Sequence, residues 1–199
     1  GGKIIYCEPN HESRENTLKE MVERTGAIVV HPYNDERIVA GQGTAANELL
    51  TDLSSLDAII SPVSGGGLLC GTLLAAKGID SNIKVYGAEP MGADDTYRSI
   101  QEGKIVPNKR VDTIADGLRA QVGTITFPII QEMVDEIIPV SEETIIDSMR
   151  MIWERLKIMV EPSSSIVLGG LLSKKEVFNN KKVGLILSGG NVDLDNIPW

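Results

Sequence analysis

Ser61-Pro62-Val63-Ser64-Gly65-Gly66-Gly67-Leu68-Leu69 joins a short apolar run to an apolar helical segment through three consecutive glycines. The run that leads into it, residues 58–63, is mostly apolar, as a strand covered on both faces is. The segment after it, from Gly67 to Lys77, has the length of a helix and stops at Gly78. Strand, tight turn and helix in that order open a βαβ unit, and the alternation repeats along the chain. Strands are expected at residues 3–7, 27–30, 58–63, 84–88, 136–140 and 183–187. Helices are expected from Ser13 to Thr25, closed by Gly26 in a left-handed cap, from Gly41 to Leu53 and from Gly67 to Lys77. Ser141 suits the N-cap of a long helix, and a last helix after Pro162, capped by Ser163, runs through Leu172. The stretch from Glu102 to Thr113 reads as loop. The fold class is therefore α/β, with a mostly parallel sheet flanked by helices.

The chain has 199 residues, enough for one domain or one and a half. With 19 basic against 28 acidic residues the net charge is −9, and no Lys/Arg cluster exceeds the pairs Lys174-Lys175 and Lys181-Lys182. That balance argues against a nucleic-acid or anionic-membrane surface. No apolar run approaches the ~18 residues of a membrane span, and the first residues lack the pattern of a secretory signal. Two cysteines, Cys7 and Cys70, are too few for a disulfide framework and suggest a reducing cytoplasm.

Three places can carry chemistry. Consecutive backbone N–H groups at a glycine-rich helix start form an anion site, and phosphate is its natural guest. The 64–67 turn is neither a Walker loop nor a Gly-x-Gly-x-x-Gly loop, and a tight turn without a ligand remains the alternative. A second glycine turn, Leu187-Ser188-Gly189-Gly190-Asn191, also follows an apolar run, so two such turns would lie at the C-terminal ends of strands, where open α/β sheets bind ligands. Ser188 there is either a solvated hydroxyl or one neutral hydrogen bond to a ligand ring. Third, Ala88-Glu89-Pro90-Met91-Gly92-Ala93-Asp94-Asp95 sets Glu89 and Asp95 around a backbone carbonyl, which are the hard oxygen ligands that Mg²⁺, Mn²⁺ or Ca²⁺ takes; a solvated acidic loop is the other reading. No serine stands in a nucleophile elbow, neither cysteine has a histidine partner, and His11 and His31 lack a second ligand at metal spacing. Trp153 and the methionines beside it fit a core face, and Lys157 a side chain that snorkels at a helix end.

Taken jointly, these segments resemble the fold-type-II pyridoxal-phosphate enzymes, in the branch of the serine racemases and the serine/threonine dehydratases. The resemblance covers essentially the whole chain. Its carriers are Tyr6-Cys7-Glu8-Pro9 with Glu12-Ser13-Arg14-Glu15-Asn16, Ala40-Gly41-Gln42-Gly43-Thr44, the 62–68 loop, the 88–95 loop, Thr113-Ile114-Ala115-Asp116-Gly117, Val160-Glu161-Pro162 and Leu187-Ser188-Gly189-Gly190-Asn191-Val192-Asp193.

The resemblance implies a tryptophan-synthase-β-like architecture, with residues 1–30 ending a small domain and 31–199 forming the large cofactor-binding domain. It implies that Ser64, Gly65, Gly66, Gly67 and Leu68 hold the cofactor phosphate, and that Ser188 faces the pyridine nitrogen. A hydroxyl there does not enforce a pyridinium, so the ring is a weaker electron sink and protein groups guide the proton transfers. It also implies a divalent cation, Mg²⁺ or Mn²⁺/Ca²⁺, on Glu89, the Ala93 carbonyl and Asp95. Arg14 falls near the substrate carboxylate and Asn191 near a site for ATP as activator between the subunits of a homodimer. Ala120 stands where some relatives carry serine. The implied activity is interconversion of L- and D-serine with elimination of serine to pyruvate and ammonia; L-threonine dehydratase is the alternative, and a non-catalytic phosphate- or cofactor-binding module is the alternative of another class. The family's Schiff-base lysine, in a Ser-x-Lys-x-Arg-like segment, the Ser-x-Gly-Asn-His cofactor loop that follows it, and the re-face serine that acts opposite the lysine do not occur in this sequence. The chain thus resembles the C-terminal three-fifths of such an enzyme and is expected to be inactive alone.

Overall fold

The computed structural model describes residues 2–8 and 11–199. The chain forms two compact units, Gly1–His31 and Pro32–Trp199. The first contains helix α1 (His11–Thr25). Gly26 ends it with φ +68, the left-handed conformation glycine adopts freely, and its N–H donates to the Val22 carbonyl at 2.8 Å. The strands expected at 3–7 and 27–30 are not formed. Ile4, Tyr6, Ile28 and Val30 are exposed, and without a neighbouring strand a β-branched run has nothing to pair with.

In the second unit the order is α2 (Glu36–Asp52), β1 (Ala58–Pro62), α3 (Gly67–Ile79), β2 (Lys84–Pro90), α4 (Asp95–Glu102), α5 (Thr126–Met133), β3 (Glu136–Val140), α6 (Glu142–Leu156), α7 (Pro162–Ser173), α8 (Lys175–Phe178) and β4 (Val183–Leu185). All strand pairs are parallel, in the order β3-β2-β1-β4, with Ile60 opposite Tyr86 on one side and Leu185 on the other. Strand periodicity sorts the core. Ile59, Val85 and Ile137 face Leu69, Leu73 and Ile130 of α3 and α5, while Ile60, Ala88 and Ile138 face Ile145, Ile166 and Val167 of α6 and α7. Each such buried isoleucine or leucine contributes about 1.5–3 kcal/mol.

Local signals explain most of the helix ends. Asp35 caps α2 by accepting the Arg37 N–H at 2.8 Å, so this helix starts five residues before the expected Gly41. Gly43 inside it serves packing: a Cβ on Gly71 of α3 would collide with the Gly43 nitrogen, so the two helices touch backbone to backbone. Ser141 caps α6 by accepting the Thr144 N–H. The expected cap of α7 is corrected: Glu161 is its N-cap, Pro162 takes the first position, where its missing N–H costs nothing, and Ser163 lies inside the helix. β4 ends at Leu185 rather than 187, although the Ile186 N–H still donates to the Ile60 carbonyl at 3.0 Å. Trp153 is half-buried, its N–H donating to the Val160 carbonyl at 2.9 Å and its ring edge-on to Trp199. No described helix is long and apolar enough to cross a membrane.

Candidate functional site

The sheet grows from β1 through β2 to β3 on one side, and then β4 is added on the other side of β1. The order therefore reverses between β1 and β4, and in open α/β sheets the crevice beyond the carboxyl ends of such a pair is where ligands bind. Both glycine turns emerge there, residues 64–67 after β1 and residues 187–190 after β4. The 88–95 loop leaves the same edge after β2.

At the first turn Gly66 takes φ +95 and caps α3, whose first N–H groups have no acceptor within the helix. Gly65, Gly66 and Gly67 are buried and tightly enclosed. A Cβ on Gly65 would lie 2.3 Å from the ring of Tyr33, and one on Gly66 2.8 Å from Thr126. The Ser64 hydroxyl is committed elsewhere: it donates to the Ala120 carbonyl and accepts the Ala120 N–H, both at 3.0 Å. What this turn offers an anion is backbone amide, which suits a phosphate. Cys70, behind the turn, donates to the Thr126 carbonyl at 3.3 Å, and burial pushes its thiol up to about 12, so it is no nucleophile at neutral pH.

At the second turn Ser188 is exposed. The turn is pinned by Glu161, which neither spacing nor residue type singled out. Its carboxylate accepts the Asn191 N–H at 2.8 Å, lies 3.0 Å from where a Gly189 Cβ would stand, and its own N–H donates to the Gly189 carbonyl. The neighbouring Ser163 hydroxyl accepts the Gly117 N–H at 2.9 Å, which ties the 113–117 segment to the start of α7. Tyr33 and Thr126 were also unforeseen. A glutamate just before a helix-starting proline was the one sequence signal available for any of the three.

Glu89 is wholly buried and Asp95 is 1% exposed. The Glu89 oxygens accept the N–H groups of Thr96 and Tyr97 at 2.9 and 2.8 Å; those of Asp95 accept the Asn108 side-chain amide and the Val122 N–H, both at 2.8 Å. Burial and then the charge of Asp95 push the Glu89 carboxyl up to about 8, and burial pushes Asp95 up to about 6. Arg98 binds Asp94 and reaches Asp95 through Asn108. Two buried acids under this electrostatic load fit a cation. Among the described residues no three His, Cys, Asp or Glu side chains converge, so a backbone carbonyl and water would complete its shell. Arg14 lies in α1, within the first unit. The side chain of His11 lies outside the described residues.

The sequence profile of the family described as pyridoxal-phosphate dependent enzyme matches residues 1–189. The chain belongs to that family. Its relatives include the serine racemase of Dictyostelium discoideum, 48% identical over 202 residues that cover 99% of this chain and 62% of that protein. The beta-hydroxyaspartate dehydratase of Paracoccus denitrificans is 44% identical over 199 residues, covering 100% of this chain and 63% of the relative. Among solved structures, maize serine racemase superposes with a TM-score of 0.94 at 45% identity, covering 98% of this chain and 61% of the other. The chain thus spans about three-fifths of the length of these relatives, and its parallel sheet flanked by helices is the fold of the maize structure.

Proposed function

We propose that the chain supplies the cofactor-cradling part of a pyridoxal-phosphate-dependent serine racemase with serine dehydratase side activity. The observation that carries this reading is the pair of glycine turns flanking the β1/β4 reversal, set in a sequence nearly half identical to serine racemases. The amides of residues 64–68 would hold the phosphate and the Ser188 hydroxyl would meet the ring nitrogen, with Glu161 keeping the second turn in place. When bound, the cofactor withdraws electrons from the substrate's α-carbon and so acidifies its proton. Arg14 would orient the substrate carboxylate. No lysine here stands in a Ser-x-Lys-x-Arg context, so the group that takes the α-proton would come from chain beyond these 199 residues.

Glu89, the Ala93 carbonyl and Asp95 would hold Mg²⁺, and Asn191 would lie at an ATP site between the subunits of a homodimer. On this reading residues 1–30 end a small domain, 31–199 form the large one, and the enzyme is cytoplasmic. The dehydratase reading is the second, favoured by the 44% identity to the beta-hydroxyaspartate dehydratase. The test is to supply L-serine, L-threonine and 3-hydroxyaspartate to the protein extended through the lysine segment, and to measure D-serine and keto-acid release. D-Serine from L-serine is expected; keto acid from every substrate with no D-serine would establish the dehydratase. Failure of the 199-residue chain to bind pyridoxal phosphate would refute the cradle.

A further inference from the structure

The acid pair and the glycine turn are built on different strands, yet one short segment holds both. Within residues 120–126, the Val122 N–H donates to Oδ2 of Asp95 at 2.8 Å. Two residues earlier, Ala120 exchanges its N–H and carbonyl with the Ser64 hydroxyl at 3.0 Å. On the other side, the Gly123 N–H donates to the Gly65 carbonyl at 3.2 Å, and the Thr126 hydroxyl donates to the same carbonyl at 2.6 Å. Thr126 also fills the space beside Gly66.

This last pair of bonds sets the cradle. In a planar trans peptide the carbonyl and the next N–H point in opposite directions. Holding the Gly65 carbonyl toward Thr126 therefore aims the Gly66 N–H to the opposite side of the peptide, and an anion held by that donor would sit there. The direction of that donor depends on where residues 120–126 lie. Their position depends in turn on Asp95, whose carboxylate anchors the middle of the segment.

Glu89 and Asp95 are both buried, and Glu89 accepts the N–H of Thr96, the residue after Asp95, so the two carboxyls belong to one helix start. The Asp95 oxygens are held by the Asn108 amide and the Val122 N–H. A divalent cation held by both acids would fix the Asp95 carboxylate further and so keep Oδ2 on Val122.

Building on the cation reading above, we propose that residues 120–126 couple the Glu89–Asp95 pair to the cradle, so that a divalent cation and a phosphate ligand bind cooperatively. Asp95 and Thr126 act here as positioning residues for backbone donors. Coupling of this kind is reciprocal, each ligand tightening the other by the same factor.

The test is titration calorimetry of the full chain with pyridoxal phosphate, in saturating Mg²⁺ and in chelator at matched ionic strength, and the converse titration of Mg²⁺ with and without pyridoxal phosphate. Both affinities are expected to tighten by the same factor, about fivefold or more. Direct attraction between cation and phosphate would give cooperativity without the segment, so Thr126→Val and Ser64→Ala are compared, which cut the links without changing charge. Each is expected to bring the factor toward one while Mg²⁺ alone binds as in the parent, and whichever variant folds serves the comparison. A factor of one in the parent chain, or an undiminished factor in the variants, overturns the coupling and leaves the cation site standing. Absence of any Mg²⁺ binding overturns the cation reading together with the coupling.

Discussion

The Lys77 ammonium on α3 lies 2.8 Å from Oδ2 of Asp135, the residue just before β3, and the same carboxylate reaches Lys84 at 2.9 Å and accepts the Val85 N–H at 2.9 Å. One side chain thus ties helix, strand and strand entry together. Burial alone would raise this carboxyl; the bonds from Lys77, Val85 and Lys84 outweigh it and hold the group below the ordinary carboxylate range. A group with a depressed folded pKa stabilises the fold above its unfolded value near 3.9 and loses that contribution as pH falls through the folded value. Asp135→Ala, which strands the Val85 N–H, is expected to cost about 1–3 kcal/mol at neutral pH, and Asp135→Asn about 1 kcal/mol or less. In urea unfolding curves, the gap between parent and Asp135→Asn should narrow as the solution is acidified below about pH 4; a gap that widens there would contradict the assignment.

Gly66→Ala forces a β-carbon into a left-handed backbone and against Thr126, at a cost of about 2 kcal/mol or more. Gly65→Ala meets the Tyr33 ring instead. Its cost, about 1–3 kcal/mol, should shrink in a Tyr33→Ala background, whereas the cost of Gly66→Ala should not. Thermal denaturation of the two double-mutant cycles distinguishes the cases.

If the buried acids bind Mg²⁺, the cation stabilises the fold by about 2.7 kcal/mol at roughly 100 times its Kd. Glu89→Ala and Asp95→Ala should each abolish that gain in melting scans. A gain kept in both variants would remove the cation from this pocket.

Lys157 ends α6 with φ 59, a left-handed conformation in a residue with a β-carbon. Relief of that strain exceeds the added entropy of an unfolded glycine, so Lys157→Gly is expected to stabilise by about 0.5–1 kcal/mol. Equilibrium unfolding reads this directly, and a destabilised variant would mean that the lysine side chain holds the helix end.

How far the sequence was legible follows from the range of the interactions. Strands β1 to β3 and the glycine turns were readable because each is a local pattern, and Ser141 was readable as a cap because its partner is three residues away. The runs at 3–7 and 27–30 carry the same strand composition, but composition does not supply a neighbour. Tyr33 and Thr126 were invisible, and Glu161 stood out only within a segment that carried the resemblance, because they act across the fold: the bond from Thr126 to Gly65 spans 61 positions and that from Ser64 to Ala120 spans 56. Glu161 meets Asn191 thirty positions on. The acid pair was visible as spacing, but its burial, and with it its electrostatic load, was not.

The adjacency of β1 and β4 makes the sheet a gauge. Hydrogen-bonded strands stand about 4.8 Å apart, and Ile186 bonded to Ile60 keeps that interval almost to the roots of the two turns. A ligand held at one end by the first turn and met by Ser188 at the other would therefore be measured against a distance that loop sequence does not reset. Substitutions among the residues that cover this edge would then change what binds beside it without changing the length of a molecule clasped between the two strands.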